Sequence, residues 1–125
     1  MTIVVSDTSP IRALEFVVCL ELLAKLFRRV VVPPAVAHEL RNPPVRYRSI
    51  EVMEDAFLEV VAPSRTDEVI RWRKSLDVGE SEALVLAKEL GADLILIDER
   101  DAREAARRTG LLMTGTVGVL SRAKA

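Results

Sequence analysis

The feature that most constrains the fold is a four-residue run, LILI at residues 94–97, in which every position is apolar. A strand with one solvated face alternates apolar and polar residues, so an unbroken apolar run predicts a strand that helices cover on both sheet faces. A helical pattern over residues 79–90 precedes it, and Gly91 suits the left-handed end of that helix. Asp98 follows the run directly. Because ligands of open α/β sheets bind at the carboxyl ends of strands, Asp98 is a candidate site residue.

The predicted helix before this strand carries three acids, one of which faces inward. On a helical wheel of about 100° per residue, three apolar residues lie within about 60° of Glu80, so Glu80 points where the apolar side chains point. Glu82 and Glu89 fall on the opposite face, where we expect them to meet solvent. Glu80 is therefore a second candidate site residue.

The first part of the chain places two more acids in the same way. The β-branched residues 3–5 predict a strand, and Asp7 follows it, just before the hydroxyl and proline residues at 8–10 that favour a helix start. Further on, two prolines introduce a short helix over residues 35–41, on which Glu39 shares a face with apolar residues. Asp7 thus resembles Asp98 in position, and Glu39 resembles Glu80.

The remaining predicted elements complete an alternation of strands and helices. Residues 11–29 are predicted to form two helices, broken near residues 17 and 18, with the second over 20–27. A strand over 30–32, a loop over 42–48, an amphipathic stretch over 50–58 and a short edge strand at 60 and 61 follow in the middle of the chain. The remaining elements are helices over 66–74 and 100–108, a strand over 111–113 and a helix over 115–124. This alternation predicts an α/β fold, a three-layer sandwich with a mainly parallel, helix-covered central sheet. With 125 residues, we expect a single domain over residues 1–125.

Composition limits the kind of partner and compartment. The formal net charge is −1, so any nucleic-acid contact has to be local, although Arg makes up 14 of the 18 basic residues and suits phosphate recognition. The single cysteine, Cys19, excludes an internal disulfide framework and suits a reducing compartment. No apolar run approaches the ~20 residues of a membrane span, and no signal pattern opens the chain. We therefore expect a cytoplasmic protein without a membrane partner.

The four candidate acids lack local counterions. No basic residue stands at helical spacing from Glu39 or from Glu80, whereas other acids of the chain have arginines at i,i+4. Two carboxylates about 5 Å apart at an effective dielectric of ~20 repel by roughly 3 kcal/mol. The pattern therefore predicts a bound cation, and we expect that neutralising Asp98 stabilises the metal-free protein.

Oxygen ligands favour a hard divalent cation. Mg²⁺ takes one or two carboxylates and keeps several waters, and Mn²⁺ accepts a similar shell. The sequence has no Cys/His cluster of the kind that binds zinc. A divalent ion held in this way activates water and neutralises phosphate, which suits phosphodiester hydrolysis. This chemistry requires no histidine, and we expect His38, the single histidine, to be a surface residue.

Four motifs along nearly the whole chain resemble the PIN domain family: SDTSP at residues 6–10, VPPAVAHEL at 32–40, GESEALVLAKELGADLILIDERDAR at 79–103 and GTVGVL at 115–120. PIN domains are a Mg²⁺- or Mn²⁺-dependent ribonuclease fold that includes the VapC-type toxins of prokaryotic toxin–antitoxin pairs. The later motifs are most similar to a small prokaryotic branch of the family. The eighteen-residue step from Glu80 to Asp98 is usual in the family, although many relatives have Asp in place of Glu80.

The resemblance implies roles for specific residues. The acidic quartet that would bind metal and carry the catalysis is Asp7, Glu39, Glu80 and Asp98. Two further acids, Glu82 and Glu99, are candidates for the metal shell, although Glu99 also has Arg103 at i,i+4 as on an ordinary solvated face. The hydroxyls that would support the site are Thr8, Ser9 and Thr116. The arginines that would bind RNA are Arg12, Arg46, Arg48 and Arg100.

The resemblance also implies an activity and partners. It implies hydrolytic cleavage of single-stranded or loop RNA with water as nucleophile, in a toxin that forms homodimers and is inhibited by a small antitoxin. A catalytically silent PIN-fold module that binds RNA or a protein is one alternative. A receiver- or phosphatase-like phosphoryl-transfer domain is another, but Ser9 stands where a dehalogenase-like phosphatase has its second Asp, and residues 113–116 offer no receiver lysine.

Overall fold

The computed structural model describes residues 2–16, 20–50 and 57–124. The strands in these ranges are β1 Val4–Ser6, β2 Val30–Val32, β3 Leu58–Val60, β4 Leu94–Leu96 and β5 Met113–Thr114. The helices are α1 Thr8–Phe16, α2 Glu21–Phe27, α3 Pro34–Arg41, α4 Thr66–Trp72, α5 Val78–Leu90, α6 Arg100–Arg108 and α7 Thr116–Lys124. α5, with 13 residues, is the longest of these helices. None of the helices in the described ranges combines the length and apolar character needed to cross a membrane.

The five strands form one sheet in the order β3-β2-β1-β4-β5, and every neighbouring pair is parallel. β1 is central, with Val5 paired to Val31 on one side and to Ile95 on the other. Parallel neighbours need crossover connections, and helices supply them on both faces of the sheet. The predicted α/β sandwich with a parallel, helix-covered sheet is therefore confirmed.

The core lies on both faces because successive strand residues point to opposite sides. One face packs against α1, α2, α3 and α7 through a cluster that contains the strand residues Val4, Val30, Val32, Leu94 and Leu96. The other face packs against α5 and α6 through Val5, Val31, Ile95 and Ile97. This division explains why residues 94–97 include no polar side chain: each of them is buried by one helix layer or the other.

The strand order places the acids at a switch in topology. From β1 the chain moves outward through β2 and β3, and β4 then returns to pair with the other side of β1. Ligands of open α/β sheets bind in the crevice that such a reversal leaves at the carboxyl ends of the strands. Asp7 follows β1 and Asp98 follows β4, so both acids border this crevice.

Several element boundaries differ from the sequence-based prediction by one to three residues. β5 was expected over residues 111–113, but its pairing with β4 centres it on Met113–Thr114, because Ile97 N–H donates to Thr114 O. β3 likewise lies at Leu58–Val60, where β2 pairs with it. In both cases, pairing with a neighbouring strand determines which residues form the strand. The local apolar content does not determine it. The predicted break at residues 17 and 18, and residues 51–56 of the amphipathic stretch, lie outside the described residues.

Candidate active site

Asp7 is the most deeply buried acid of the crevice, with 3% of its surface exposed. Its backbone N–H donates to Leu96 O at 3.0 Å, which ties it to β4. Burial raises the pKa of the Asp7 carboxyl to about 7, with further increases from the charges of Asp77, Glu80 and Glu39 and an opposing hydrogen bond from the Thr8 backbone. A carboxyl with this pKa lies in a strongly negative, poorly solvated place.

The Glu39 side chain extends from α3 toward the Asp7 carboxyl. Its carboxylate is half-buried and accepts a hydrogen bond from the Thr8 hydroxyl, at 2.7 Å to Oε2. The backbone around it is fixed as well, because an Arg12 guanidinium nitrogen donates to Glu39 O at 2.6 Å. The start of α3 is secured by the Ala35 N–H, which donates to Glu82 Oε1 at 2.9 Å. Glu39 thus points inward, as the helical wheel predicted.

Glu80 lies at the start of α5 with 7% of its surface exposed, so its predicted inward orientation is confirmed. It belongs to a capping box: the Glu80 N–H donates to Asp77 Oδ1 at 2.7 Å, and the Asp77 N–H donates to Glu80 Oε1 at 3.1 Å. Burial raises the pKa of Glu80, with additional increases from the charges of Asp77, Glu99 and Glu39 and an opposing contribution from the Asp77 N–H. One oxygen of Glu80 is therefore engaged in holding the helix start.

Gly79 leaves room for two of these acids to approach its α-carbon. A Cβ added at Gly79 would lie 2.7 Å from Glu39 Oε1 and 3.4 Å from Asp7 Oδ1, so both carboxylate oxygens converge on one point beside this glycine. Within the described residues, no group of three or more acidic, histidine or cysteine side chains is arranged to hold a metal ion. A converging carboxylate pair nevertheless matches Mg²⁺, which proteins usually bind through one or two carboxylates together with water and substrate oxygens.

Asp98 borders the crevice, but its carboxylate is already engaged in hydrogen bonds. Its side chain is exposed, and both oxygens accept hydrogen bonds from Thr116: from the backbone N–H at 2.7 Å and from the hydroxyl at 2.6 Å. The acid therefore caps the start of α7. A Cβ on Gly115 would overlap Asp98 Oδ1, so this glycine allows the close approach. Thr116, one of the three hydroxyls that the family resemblance places near the site, thus contacts the candidate acid Asp98.

The two additional acids lie in different surroundings. Glu82 was expected to face solvent, but it is half-buried and accepts the hydrogen bond from Ala35 N–H that secures α3. The wheel described α5 alone and left out the neighbouring helix that covers this face. Glu99 is exposed at the N-cap of α6, and its charge contributes to the raised pKa of Glu80. Arg103 directs its Nη1 to Ile97 O at 3.1 Å, and no ion pair joins it to Glu99 among the described residues.

The four candidate RNA-binding arginines have different surroundings. Arg12 is half-buried, donates to Glu39 O and stacks on Tyr47 with 5.4 Å to the ring centroid, which makes it part of the scaffold. Arg48 pairs with Glu15 at 3.3 Å. Arg46 and Arg100 are exposed. The remaining candidate hydroxyl, Ser9, is half-buried beside Thr8, and His38 is exposed as expected.

Two site residues escaped the sequence-based prediction. Asp77 adds negative charge to both Asp7 and Glu80 and holds Glu80 through the capping box. Its signal was present in the sequence, because an Asp three residues before a Glu at a helix start is a capping-box pattern. Gly79 had no local signal for its role, since its importance depends on side chains that approach from β1 and α3.

Comparison with known proteins agrees with this architecture. The family model described as a PIN domain matches residues 3–125, which is nearly the whole chain. No curated protein sequence matches the chain significantly. PIN domains are generally nucleases and typically use divalent metal ions. A parallel five-stranded sheet with acids at its switch point, together with a match of this extent, shows that the chain belongs to the PIN domain family.

Proposed function

We propose that the chain is a single-domain, Mg²⁺- or Mn²⁺-dependent endoribonuclease that hydrolyses RNA phosphodiester bonds at the crevice between β1 and β4. The observation that carries this proposal is the convergence of Asp7 Oδ1 and Glu39 Oε1 beside Gly79, in a cluster of acids where burial and neighbouring charges raise the pKa of Asp7 and of Glu80. Such a cluster is costly to maintain unless a cation uses it.

Asp7 and Glu39 would hold the ion, with Glu80 next to them and Asp98 at the other border of the crevice. When bound, a divalent ion supplies positive charge for the phosphate and activates a water molecule for attack. These four residues are the catalytic set in this proposal. Glu99 is close enough to Glu80 to contribute charge, while Glu82 acts by securing α3.

The protein's own groups prepare the site. Near pH 7 about half of the Asp7 carboxyls hold a proton, because their pKa is about 7. A cation has to displace this proton, so binding should release it and become tighter as pH rises. The Thr8 hydroxyl keeps Glu39 in one orientation, and the Asp77 N–H does the same for Glu80. Both glutamates are therefore positioned before a ligand arrives.

We propose that the protein acts as the toxin of a toxin–antitoxin pair, as a cytoplasmic homodimer. The concentration of carboxylates at the crevice favours an inhibitor with a basic segment, since such a segment would neutralise the same charges that a metal neutralises. An antitoxin of this kind would compete with metal and with RNA for one place.

A PIN-fold module that binds RNA or a protein without cleaving it is the second candidate. It is favoured by the engagement of Asp98, whose two oxygens both serve Thr116, and by the use of one Glu80 oxygen in the capping box. Each hydrogen bond would have to be shared or released for the carboxylate to bind metal fully. Membership of the PIN family leaves no support for the receiver- or phosphatase-like alternative.

The deciding experiment is cleavage of a mixed pool of structured and single-stranded RNAs. Wild-type protein is assayed with Mn²⁺ and with EDTA, beside an Asp7→Asn variant purified identically. We expect cuts that require Mn²⁺ and that disappear in the variant. Cuts that survive in EDTA or in Asp7→Asn would contradict the proposal, and absence of both cleavage and metal binding would favour the silent module.

A further inference from the structure

A cleft of about 540 Å³ opens next to Asp98. Residues of α6 and of β5 form its walls, so it continues from the crevice along one face of α6. Its charged lining consists of three arginines and three carboxylates, namely Arg100, Arg103, Arg107, Asp98, Asp101 and Glu104. Half-buried Met113 adds an apolar part.

Most of these charged groups already have partners. Arg107 forms an ion pair with Glu104. The half-buried Arg103 donates from Nη1 to Ile97 O at 3.1 Å, and Asp98 accepts from Thr116. The two that remain are Arg100 and Asp101, in the first turn of α6, whose side chains form neither a hydrogen bond nor an ion pair with any described residue. A fork of donors and a carboxylate acceptor are thus available side by side.

The balance of charge indicates what the cleft can bind. A site for the phosphate backbone is expected to carry net positive charge, whereas this lining contains equal numbers of positive and negative groups. A nucleobase edge instead combines hydrogen-bond acceptors and donors. Guanine offers acceptors at O6 and N7, which match the Arg fork, and donors at N1 and N2, which match a carboxylate. Met113 supplies an apolar surface for the face of the base.

We propose that this cleft binds a guanine base of the RNA strand whose backbone occupies the crevice, with Arg100 at O6 and N7 and Asp101 at N1–H and N2–H. The inference rests on the proposed function for the identity of the strand as RNA. Its consequence is a preference for cleavage next to guanine. Single-stranded RNA is the matching form, because its unstacked bases present these edges to a protein.

Binding of short RNAs measures the preference without cleavage. Fluorescence anisotropy is recorded in EDTA with six-nucleotide uridine RNAs that carry G, A, C or U at one central position. We expect the G oligonucleotide to bind about tenfold more tightly than the others, because the other bases lose the bidentate contact; tenfold corresponds to about 1.4 kcal/mol.

Base analogues test each contact. Inosine lacks the N2 amino group, and 7-deazaguanine lacks N7. Asp101→Ala should bind G and inosine equally, and Arg100→Ala should bind G and 7-deazaguanine equally. Arg108→Ala, on α6 outside the cleft lining, and Asp67→Ala, on α4, are the matched controls and should keep the wild-type preferences. Both control residues form surface ion pairs, so their removal should cost little stability.

Equal affinity for the four bases, no measurable binding, or wild-type discrimination against inosine in Asp101→Ala and against 7-deazaguanine in Arg100→Ala would overturn the proposal. Cleavage of the same RNAs with Mn²⁺ separates it from the proposed function. Guanine-selective binding without metal-dependent cleavage would support the cleft and contradict the nuclease. Metal-dependent cleavage without base preference would support the nuclease and contradict the cleft.

Discussion

Asp7 shows at the scale of a single residue how burial becomes a functional property. A carboxyl with 3% exposure, surrounded by other acids, holds its proton up to about pH 7. The folded chain keeps this proton between about pH 4 and pH 7, while an unfolded chain has lost it. The contribution of Asp7 to the free energy of unfolding is therefore fully present below about pH 4, and it is lost as pH rises through about 7.

The Asp7→Asn variant tests this pH dependence. In EDTA, urea unfolding of the wild-type protein should lose roughly 2 to 3 kcal/mol between pH 5 and pH 8 from Asp7 alone. The variant has no titratable group at this position. Over the same pH range its free energy of unfolding should therefore fall by roughly 2 to 3 kcal/mol less than that of the wild-type protein. Acids that do not interact with Asp7 titrate equally in both proteins and cancel in the comparison. Parallel stability curves for the two proteins would mean that Asp7 is ionised in the folded state at pH 5.

Gly79→Ala separates the geometry of the site from the stability of the fold. The added Cβ meets the end of the Glu39 side chain, which can move, and Ala is the better helix former. We expect the unfolding free energy to change by less than about 1 kcal/mol, while displacement of Glu39 lowers the cleavage rate by about a hundredfold.

Gly91→Ala is the control for this variant and should behave in the opposite way. Gly91 has a φ of 59°, and nothing would meet its Cβ. Substitution there should cost about 1 kcal/mol and leave the cleavage rate unchanged. A Gly79→Ala protein with wild-type activity would show that the acids do not need the approach that the glycine permits.

Asp98 illustrates a residue whose contacts in the fold oppose the effect that the sequence predicts. From sequence, removal of one charge from a crowded acidic site was expected to stabilise the metal-free protein. In the fold, both Asp98 oxygens accept hydrogen bonds from Thr116 and hold the start of α7. An Asn at this position could still accept from the Thr116 N–H and could donate its NH2 to the Thr116 hydroxyl. Both hydrogen bonds would then lose the charge of the carboxylate, and this weakening opposes the relief of repulsion.

At the scale of elements, α5 organises the site through its two faces and its start. The capping box at Asp77 and Glu80 begins the helix. Asp77→Ala should lower the unfolding free energy by about 0.5–2 kcal/mol, whereas Asp77→Ser, which can still cap, should lower it by less. Urea denaturation of the three proteins measures the difference. Because both variants remove the same charge, identical losses would show that the cap is not what stabilises the helix start.

The two faces of α5 differ in what their acids do. Glu80→Gln removes a charge from the acid cluster and should lower the cleavage rate at least tenfold, since its interactions serve the reacting centre. Glu82→Gln retains a carbonyl oxygen that can accept from Ala35 N–H, so both activity and the position of α3 should persist. The comparison uses one assay and one type of substitution. Equal losses would place the functional face of α5 elsewhere.

At the scale of the whole molecule, the crevice joins two halves of the sheet. β1 and β4 are neighbours in the sheet but distant in sequence, so the acids after them border one crevice only in the folded chain. A ligand that binds the folded form alone stabilises it by mass action. Mn²⁺ or Mg²⁺ should therefore raise the melting temperature of the entire protein.

We expect a rise of roughly ten degrees at a fixed metal concentration of about 100 times the dissociation constant at pH 7, which corresponds to about 2.7 kcal/mol. The rise should be greater at pH 8 than at pH 6, because the proton on Asp7 competes with the ion. Asp7→Asn should respond weakly. Differential scanning fluorimetry across both pH values measures this, and a response that is larger at pH 6 would contradict the assigned site.

The amino-acid sequence by itself determined the layers of this fold and the elements on which the acids stand. Its apolar runs at residues 30–32 and 94–97 require helices on both sheet faces, and the periodicity of α5 directs Glu80 inward. These features depend on neighbours a few residues away. The local periodicity of the sequence is therefore sufficient to predict these features, and the structure confirms them.

Only the tertiary structure decided which acids converge and which are engaged elsewhere. Asp7 and Glu39 both approach Gly79, Glu82 accepts a hydrogen bond from the start of α3, and Asp98 accepts hydrogen bonds from Thr116. Each of these outcomes joins elements that are far apart in the chain. The physical reason is that a carboxylate takes the donors that packing brings to it, and the approach of one helix to another is set by the whole core and not by any local pattern.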